Sequence, residues 1–232
     1  MEQMATSALK PPTTSRQDDL AYVLPMAVFL LFTWAGGHWK NFFVASYVLK
    51  TLAAAALIIF FWKRYTPIRW SHAWLGVFVG VIGIVQWVGM EKGLLWLWKD
   101  YPRPPFEIFD PYKAFTTPFA FWGFTLIRWA GATLMVPFME ELFWRDYLWR
   151  SFLSPNDFKL AGVGERDWKV ILFVAGLFAT VHIQWLTAFV WGLMIAWLLI
   201  RTRSLGACII AHAVTNFLLG AYVQYTHDWY FW

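Results

Sequence analysis

The sequence predicts an all-α bundle of about seven transmembrane helices. Hydrophobic residues make up 59% of the 232 residues and charged residues only 14%, against about 25% charged residues in ordinary soluble domains. Eighteen tryptophans and 22 phenylalanines add to this, because aromatic side chains concentrate at membrane interfaces. Apolar segments long enough to cross a bilayer recur along the chain. Together these observations exclude a soluble globular class.

The spans follow from a search for runs of about 20 mostly apolar residues, the length that crosses a bilayer as a helix. Such runs lie near residues 20–36, 42–62, 74–98, 118–138, 170–187, 186–200 and 205–223. The sixth run is short and begins where the fifth ends. A polar stretch from Arg145 to Lys169 separates the fourth run from the fifth and contains turn signals at residues 154–157 and 162–164.

Basic residues predict the orientation, because cytoplasmic loops carry an excess of Lys and Arg. With the N-terminus in the cytoplasm, twelve basic residues fall in inner segments and four in outer segments. The inner residues are Lys10, Arg16, Lys63, Arg64, Arg69, Arg145, Arg150, Lys159, Arg166, Lys169, Arg201 and Arg203. The outer residues are Lys40, Lys99, Arg103 and Lys113. We therefore expect a multi-pass protein of the cell (inner) membrane. Residues 1–19 form a cytoplasmic tail and residues 224–232 an outer tail.

Composition also limits the partners and cofactors. The net charge is +5, but the basic residues are scattered through loops and form no stripe, which argues against a nucleic-acid partner. The chain has one cysteine, Cys208, so an internal disulfide and a zinc site built on several thiolates are excluded.

Ionisable residues inside a bilayer cost at least a few kcal/mol each, and three groups of them fall in or beside the later spans. They are Glu140-Glu141-Leu142-Phe143-Trp144-Arg145, Phe178-Ala179-Thr180-Val181-His182 and His212-Ala213-Val214-Thr215-Asn216. A single buried acid or histidine is most simply a satisfied core residue. Several such residues on three separate spans indicate a functional site.

Spacing within these groups predicts how the side chains point. Glu141 and Arg145 are four residues apart, so they share a helix face and can pair. Glu140 is rotated by about 100° from Glu141 and points elsewhere. His212 and Asn216 also share a face. Pro137 lacks a backbone N–H and is expected to kink the helix and free backbone groups where the acids begin.

The three groups together resemble the motifs of the CPBP intramembrane proteases, a family that includes the CAAX prenyl endopeptidases and bacterial relatives. The motifs are Glu-Glu-x-x-x-Arg at 140–145, Phe-x-x-x-His at 178–182 and His-x-x-x-Asn at 212–216. The resemblance covers about residues 118–220 and agrees in order and approximate spacing. It implies a catalytic membrane domain at 118–223, preceded at 20–117 by transmembrane helices without a motif.

The resemblance implies an intramembrane endopeptidase and a role for each motif residue. Glu140 would be the general base and His182 its partner in activating water. His212 and Asn216 would stabilise the oxyanion. Glu141 and Arg145 would hold Glu140 in place. The expected partners are a membrane-anchored peptide or protein substrate and the lipid bilayer.

The sequence is less direct about whether the reaction uses a metal ion. We expect no metal cofactor, because the His-Glu-x-x-His pattern of zinc peptidases is absent and each histidine lies on its own span. The alternative is a catalytic Zn²⁺ held by Glu140, His182 and His212, since two histidines and a glutamate can form such a site.

Other interpretations of the same residues remain open. Cys208 stands one helical turn before His212 and could be a nucleophile, although a lone membrane cysteine is more often a packing residue. A proton-coupled transporter would also bury acids and histidines. A protease-like scaffold could bind a partner helix without cutting it. Glu91 and Arg128, in the third and fourth spans, are expected to pair, and Lys50 is expected to extend its side chain toward the interface.

Overall fold

The computed structural model describes residues 14–103 and 108–232, which form a helical bundle. The first thirteen residues of the predicted tail, including Lys10, lie outside the described residues. Eight helices are present in the described ranges, and no β-strand: α1 Arg16–His38, α2 Phe43–Phe60, α3 Ala73–Leu97, α4 Pro111–Ala114, α5 Pro118–Leu153, α6 Trp168–Thr180, α7 Trp185–Thr202 and α8 Leu205–Thr226. The predicted fold class is confirmed.

Six of these helices are long and apolar enough to cross a membrane, namely α1, α2, α3, α5, α7 and α8. Helix α6 has only 13 residues, or about 20 Å at 1.5 Å per residue. The predicted span at 170–187 therefore ends early, at Thr180, and residues 181–184 form a turn before α7. The two overlapping spans of the sequence analysis are two separate helices.

The lateral surface of the bundle is apolar, as a lipid-facing surface must be. Between 22% and 56% of each membrane-crossing window is buried inside the protein, and many large apolar side chains outside that share are exposed, such as Ile59, Phe60 and Phe119. Exposed tryptophans lie near both ends of the helices: Trp34, Trp39, Trp96 and Trp98 near one end and Trp62, Trp70, Trp74 and Trp168 near the other. Two such belts are typical of the two membrane–water interfaces.

Helix α5 is the longest element and differs from the predicted span at 118–138. It continues for 36 residues to Leu153 and contains two π-helical segments, Gly131–Met135 and Leu142–Leu148. Such π-segments occur often at functional sites. Glu140 and Arg145 consequently lie within the helix, one turn apart, and not at its end.

The helix continues through charged residues because they are paired inside the protein. Arg150 is buried, forms an ion pair with Asp146, and donates from Nε to the carbonyl oxygen of Ala161 at 2.8 Å and from Nη1 to Thr66 Oγ1 at 2.8 Å. Asp146 Oδ2 accepts a hydrogen bond from the Tyr22 hydroxyl at 2.7 Å. These contacts attach α1, the loop after α2 and the loop after α5 to the C-terminal part of α5.

Close packing of α3 against α8 positions the rest of the site. A Cβ atom at Gly80 would lie 2.7 Å from both the carbonyl oxygen of Ala211 and Cβ of Val214, so only glycine permits this approach. Thr215 Oγ1 donates to the carbonyl oxygen of Gly80 at 2.9 Å. Small residues allow helices to approach closely in membranes. Helix α3, which carries no motif, therefore lies directly beside the helix that carries His212.

The segments predicted to be cytoplasmic meet at one end of the bundle. Lys159 Nζ pairs with Asp18 Oδ1 at 2.7 Å and donates to the carbonyl oxygen of Arg64 at 3.0 Å. Ser204 Oγ donates to the carbonyl oxygen of Arg69 at 2.7 Å. At the opposite end, Lys92 Nζ pairs with Asp228 Oδ2 at 3.2 Å. The chain therefore runs from end to end of the bundle seven times, with α6 as the short crossing.

Cysteine labelling tests this arrangement in cells. In a Cys208→Ser background, we expect Arg64→Cys and Arg201→Cys to react with an impermeant maleimide only after the membrane is permeabilised. Lys99→Cys, at the other end, should react in intact cells because the positively charged loops stay inside. Labelling that places Arg64→Cys and Arg201→Cys on opposite sides of the membrane would contradict both the topology and the bundle.

Candidate active site

Glu141 is the centre of the candidate site. Its side chain is fully buried; Oε1 lies 2.9 Å from Nδ1 of His212, and Oε2 lies 3.5 Å from Nε of Arg145. The predicted pair of Glu141 and Arg145 is therefore present. The contact with His212, which joins the first motif to the third, was not predicted, since sequence spacing reports only neighbours on one helix.

The contact with Glu141 determines what His212 can do. A carboxylate only accepts hydrogen bonds, so Nδ1 of His212 carries the hydrogen and Nε2 is directed away from Glu141. The ring also packs edge-on against Trp191, with centroids 6.1 Å apart. His212 is thus held on two sides, with one nitrogen left for a substrate or water.

No hydrogen bond joins Glu140 to this pair. It is 8% exposed, and its Oε2 atom is buried without a hydrogen-bond partner. The carboxylate lies close enough to the imidazole of His182 for the two to interact electrostatically, but they share no direct hydrogen bond. Buried polar atoms without partners are rare in native proteins and often mark a catalytic role or an ordered water.

His182 lies in the turn between α6 and α7, outside any helix. Its Nδ1 lies 2.8 Å from the carbonyl oxygen of Phe178, which can only accept, so this nitrogen also carries the hydrogen. The ring lies 4.3 Å from that of Phe178 and 5.8 Å from that of Trp87. Nε2 of His182 is therefore the free nitrogen. Phe178, the first residue of the second motif, serves to orient the histidine.

Asn216 is held by α5 through an effect of Pro137. In the π-segment, the backbone N–H of Val136 bonds to the carbonyl oxygen of Gly131, so the next donor in register would be residue 137. Pro137 has no N–H, and the carbonyl of Ala132 is left free. Asn216 Nδ2 donates to it at 2.8 Å. One of the two amide hydrogens is fixed in this way and the other can serve a substrate.

Helix α3 supports the His182 turn, a contribution that sequence reasoning missed. Trp87 and Glu91 are four residues apart and share a face. Trp87 contacts His182, and Glu91, fully buried, accepts from Thr187 Oγ1 at 2.6 Å in the first turn of α7. Its other oxygen accepts from the Tyr230 hydroxyl at 2.6 Å. The sequence signal that could have revealed this support was Glu91 itself, a single acid within an otherwise apolar span.

The predicted pair of Glu91 and Arg128 is wrong. Glu91 is surrounded by hydroxyl donors, including the Tyr101 hydroxyl at 3.4 Å, whereas the Arg128 guanidinium lies over aromatic rings elsewhere in the bundle. Burial, together with the hydrogen bond to Glu91 and its charge, raises the pKa of the Tyr230 hydroxyl. Tyr230 therefore remains a protonated donor to Glu91 at neutral pH.

The histidines of the site carry the nitrogen atoms that a metal would use. Each histidine has a free Nε2, as metal ligands do. Within residues 14–103 and 108–232, no group of three His, Cys, Asp or Glu side chains is found that could hold a metal ion. Whether the reaction uses a metal stays a prediction.

Cys208 is a packing residue between α7 and α8. Its side chain is fully buried, and Sγ lies 3.8 Å from the carbonyl oxygen of Ile195. A nucleophilic thiol requires a neighbouring base and access to substrate. Cys208 has neither access nor a hydrogen bond to either site histidine.

Comparison with known proteins agrees with the motifs. Residues 122–218 match a family described as Type II CAAX prenyl endopeptidase, Rce1-like. The matched region contains all three motifs, which confirms the resemblance to the CPBP family and supports an intramembrane endopeptidase of the CAAX-protease type. Helices α1 to α3 lie outside it. A search of curated proteins and a search of solved structures each gave no match.

The role of Pro137 can be tested with a double-mutant cycle. Pro137→Ala supplies the missing N–H, so the carbonyl of Ala132 can bond within the helix and Asn216 loses its anchor. We expect kcat for peptide hydrolysis to fall by about tenfold or more, approaching the roughly hundredfold loss of one oxyanion donor. Adding Pro137→Ala to Asn216→Ala should cause little further loss. Independent, additive losses would contradict this coupling.

The support of His182 by α3 predicts an effect of Tyr230. Tyr230→Phe removes a donor to Glu91, loosens the His182 turn and should lower kcat by up to roughly hundredfold, the scale of a 1 Å misplacement, with KM nearly unchanged. Tyr225→Phe is the matched control, because Tyr225 is 89% exposed on the same end of the chain. Equal kcat values for the two variants would show that Tyr230 does not position His182.

Proposed function

We propose that this protein, whose residues 122–218 match the CAAX-protease family, hydrolyses a peptide bond of a membrane-anchored protein or peptide with water activated by Glu140. The observation that carries the proposal is the unpartnered, buried Oε2 of Glu140 beside the assembled group of Glu141, His212 and Arg145. A buried carboxylate without a partner costs stability, so its presence here points to a chemical task.

In the proposed reaction, Glu140 accepts a proton from water as the water oxygen attacks the carbonyl carbon of the scissile bond. Nε2 of His182 holds the water by its second hydrogen, since Nδ1 is occupied by the Phe178 carbonyl. The carbonyl oxygen becomes an oxyanion. Glu140 then transfers its proton to the amide nitrogen, the C–N bond breaks, and a carboxylic acid and an amine leave. General base catalysis of this kind contributes about 10²–10⁴-fold.

His212 and Asn216 stabilise the oxyanion in this scheme. Asn216 donates its second amide hydrogen. His212 donates from Nε2, which requires a hydrogen on both ring nitrogens, and the negative charge of Glu141 at 2.9 Å balances the positive ring. The two carboxylates of the site are then matched by two cations, His212 and Arg145. One oxyanion donor is worth about 2.7–4 kcal/mol.

Glu141 and Arg145 act through other groups. Glu141 orients His212, and Arg145, which lies 5.0 Å from the Phe178 ring, links Glu141 to the residue that orients His182. Removing one partner from a buried ion pair costs about 3–5 kcal/mol. These two residues therefore contribute to stability as well as to activity.

The setting we propose is the cell (inner) membrane, with the N-terminus in the cytoplasm. His212 lies seven residues into α8, about 10 Å from the end of the bundle that carries most of the positive charge. A substrate with its cleavage site in the cytoplasmic half of the bilayer fits this depth. The substrate class is a membrane-anchored peptide or protein.

Substitutions at the site separate chemistry from stability. In purified, reconstituted protein, Glu140→Gln, His182→Ala and His212→Ala should each lower kcat by at least about 10²-fold. The melting midpoint of Glu140→Gln should match wild type, because its Oε2 has no partner to lose. Glu141→Gln and Arg145→Ala should lose activity together with several degrees of melting midpoint.

Three outcomes would contradict the proposed roles. Full activity of Glu140→Gln would assign the base to another residue. Absence of cleavage by wild type, combined with binding of a membrane peptide that depends on His212, would support a protease-like scaffold. Proton-driven uptake in the same vesicles would support the transporter.

Metal dependence is a separate prediction. We expect the purified protein to contain less than one zinc per chain and to keep its activity after exhaustive chelation and dialysis, because Glu140, and not a metal-bound hydroxide, activates the water. A zinc content of one per chain, with activity that follows occupancy, would replace the glutamate scheme with the zinc alternative at Glu140, His182 and His212.

A further inference from the structure

A second group of buried charged residues contains none of the motif residues and lies between α1, α2 and α5. It consists of Lys50, Arg128, Tyr47 and Thr125, which we call the Lys50–Arg128 cluster. Lys50 is 7% exposed and Arg128 is 5% exposed. Both cations lie over the ring of Tyr47, Lys50 Nζ at 4.0 Å and Arg128 Cζ at 5.0 Å from its centroid. The proposed hydrolysis uses none of these residues.

The cluster contains donors and positive charge without an acidic partner. Neither cation forms an ion pair with a carboxylate in the described part of the chain. Nε and Nη1 of Arg128 and Oγ1 of Thr125 are buried without hydrogen-bond partners, and Thr125 and Arg128, three residues apart, share a face of α5. Lys50 Nζ makes one hydrogen bond, to Thr33 Oγ1 at 3.1 Å.

Aromatic rings surround these cations but do not satisfy their buried donors. The guanidinium of Arg128 lies 5.9 Å from the ring of Phe43 and 4.9 Å from that of Trp232. Such cation–π contacts stabilise the charge, but Nε and Nη1 of Arg128 still have no hydrogen-bond partner. Two neighbouring cations also repel each other. A bound anion would remove both the repulsion and the unpaired donors.

The cluster lies toward the end of the bundle at which α2 begins, because the Arg128 guanidinium lies near the ring of Phe43, the first residue of α2. Lys50 extends to Thr33, next to Trp34, which is 60% exposed and belongs to one of the two tryptophan belts that mark the interfaces. Tyr47 and Phe43 stand in the first two turns of α2 at the same end.

We propose that the Lys50–Arg128 cluster binds one phosphate group, supplied by an anionic phospholipid whose head group enters between α1, α2 and α5. An arginine fork and a lysine ammonium are the pair of side chains best suited to a phosphate, and basic pockets between transmembrane helices bind anionic lipids. A zwitterionic lipid brings its own cation and fits less well beside two positive charges. Free phosphate has the same chemistry and is the second source to test.

The test uses the full chain reconstituted into nanodiscs of phosphatidylcholine, with or without phosphatidylglycerol. Lipid retained by the protein is counted by native mass spectrometry, and the melting midpoint is measured. We expect about one phosphatidylglycerol per chain and a raised midpoint in its presence. Lys50→Gln and Arg128→Gln should each lower the apparent lipid affinity by roughly fivefold or more, the effect of about 1 kcal/mol per cation near the membrane surface.

Lys92→Gln is the matched control. Lys92 is a cation at the same end of the bundle but is half exposed and paired with Asp228, so its loss should leave lipid retention unchanged. If Arg128→Gln fails to fold, Lys50→Gln alone still decides the outcome. Inorganic phosphate added to phosphatidylcholine nanodiscs forms the second arm, and stabilisation of wild type by it alone would overturn the lipid as the source. Equal retention of phosphatidylglycerol by wild type and Lys50→Gln, or an equal loss in Lys92→Gln, would overturn the site.

Discussion

The buried contact between Glu141 and His212 is the interaction on which the candidate site depends. It joins α5 to α8 inside a membrane protein, where an unpaired carboxylate costs several kcal/mol. The same carboxylate holds Arg145, and Arg145 lies over Phe178, which orients His182. One fully buried acid therefore connects all three motifs. Glu140, one position earlier, remains unpartnered as a consequence of helical rotation.

A second constraint is the irregular backbone of α5. Non-helical or widened backbone is tolerated inside a membrane only where the freed polar groups find partners. The carbonyl of Ala132, freed because Pro137 has no N–H, finds Asn216. The defect thus fixes a functional side chain on the neighbouring helix.

Sequence patterns were sufficient to predict the bundle, the three motifs and the pair of Glu141 and Arg145. Each of these depends on composition or on spacing within one helix. They failed where the partner lies on another element. Glu91 pairs with hydroxyls of α7 and the C-terminal segment and not with Arg128. Helix α5 runs past its predicted end because Asp146 and Arg150 neutralise each other within the fold. Hydropathy cannot distinguish such paired charges from a polar loop.

The motif-free helices have specific tasks in this arrangement. Gly80 lets α3 approach α8, and Trp87 and Glu91 support the turn that carries His182. Helices α1 and α2 bring Lys50 against Arg128 and form the proposed lipid site. The half of the chain without motifs therefore supports the candidate site and also carries the proposed lipid site.

Comparative mass spectrometry of membrane peptides tests the central claim most directly. Cells that express wild-type protein are compared with cells that express Glu140→Gln at the same level, and new C-termini within or next to transmembrane segments are counted. The account predicts a defined set of cleaved membrane-anchored proteins in wild type that is intact in the variant, which keeps its fold. Identical peptide profiles in the two strains, with both proteins folded and in the membrane, would contradict Glu140-dependent intramembrane proteolysis.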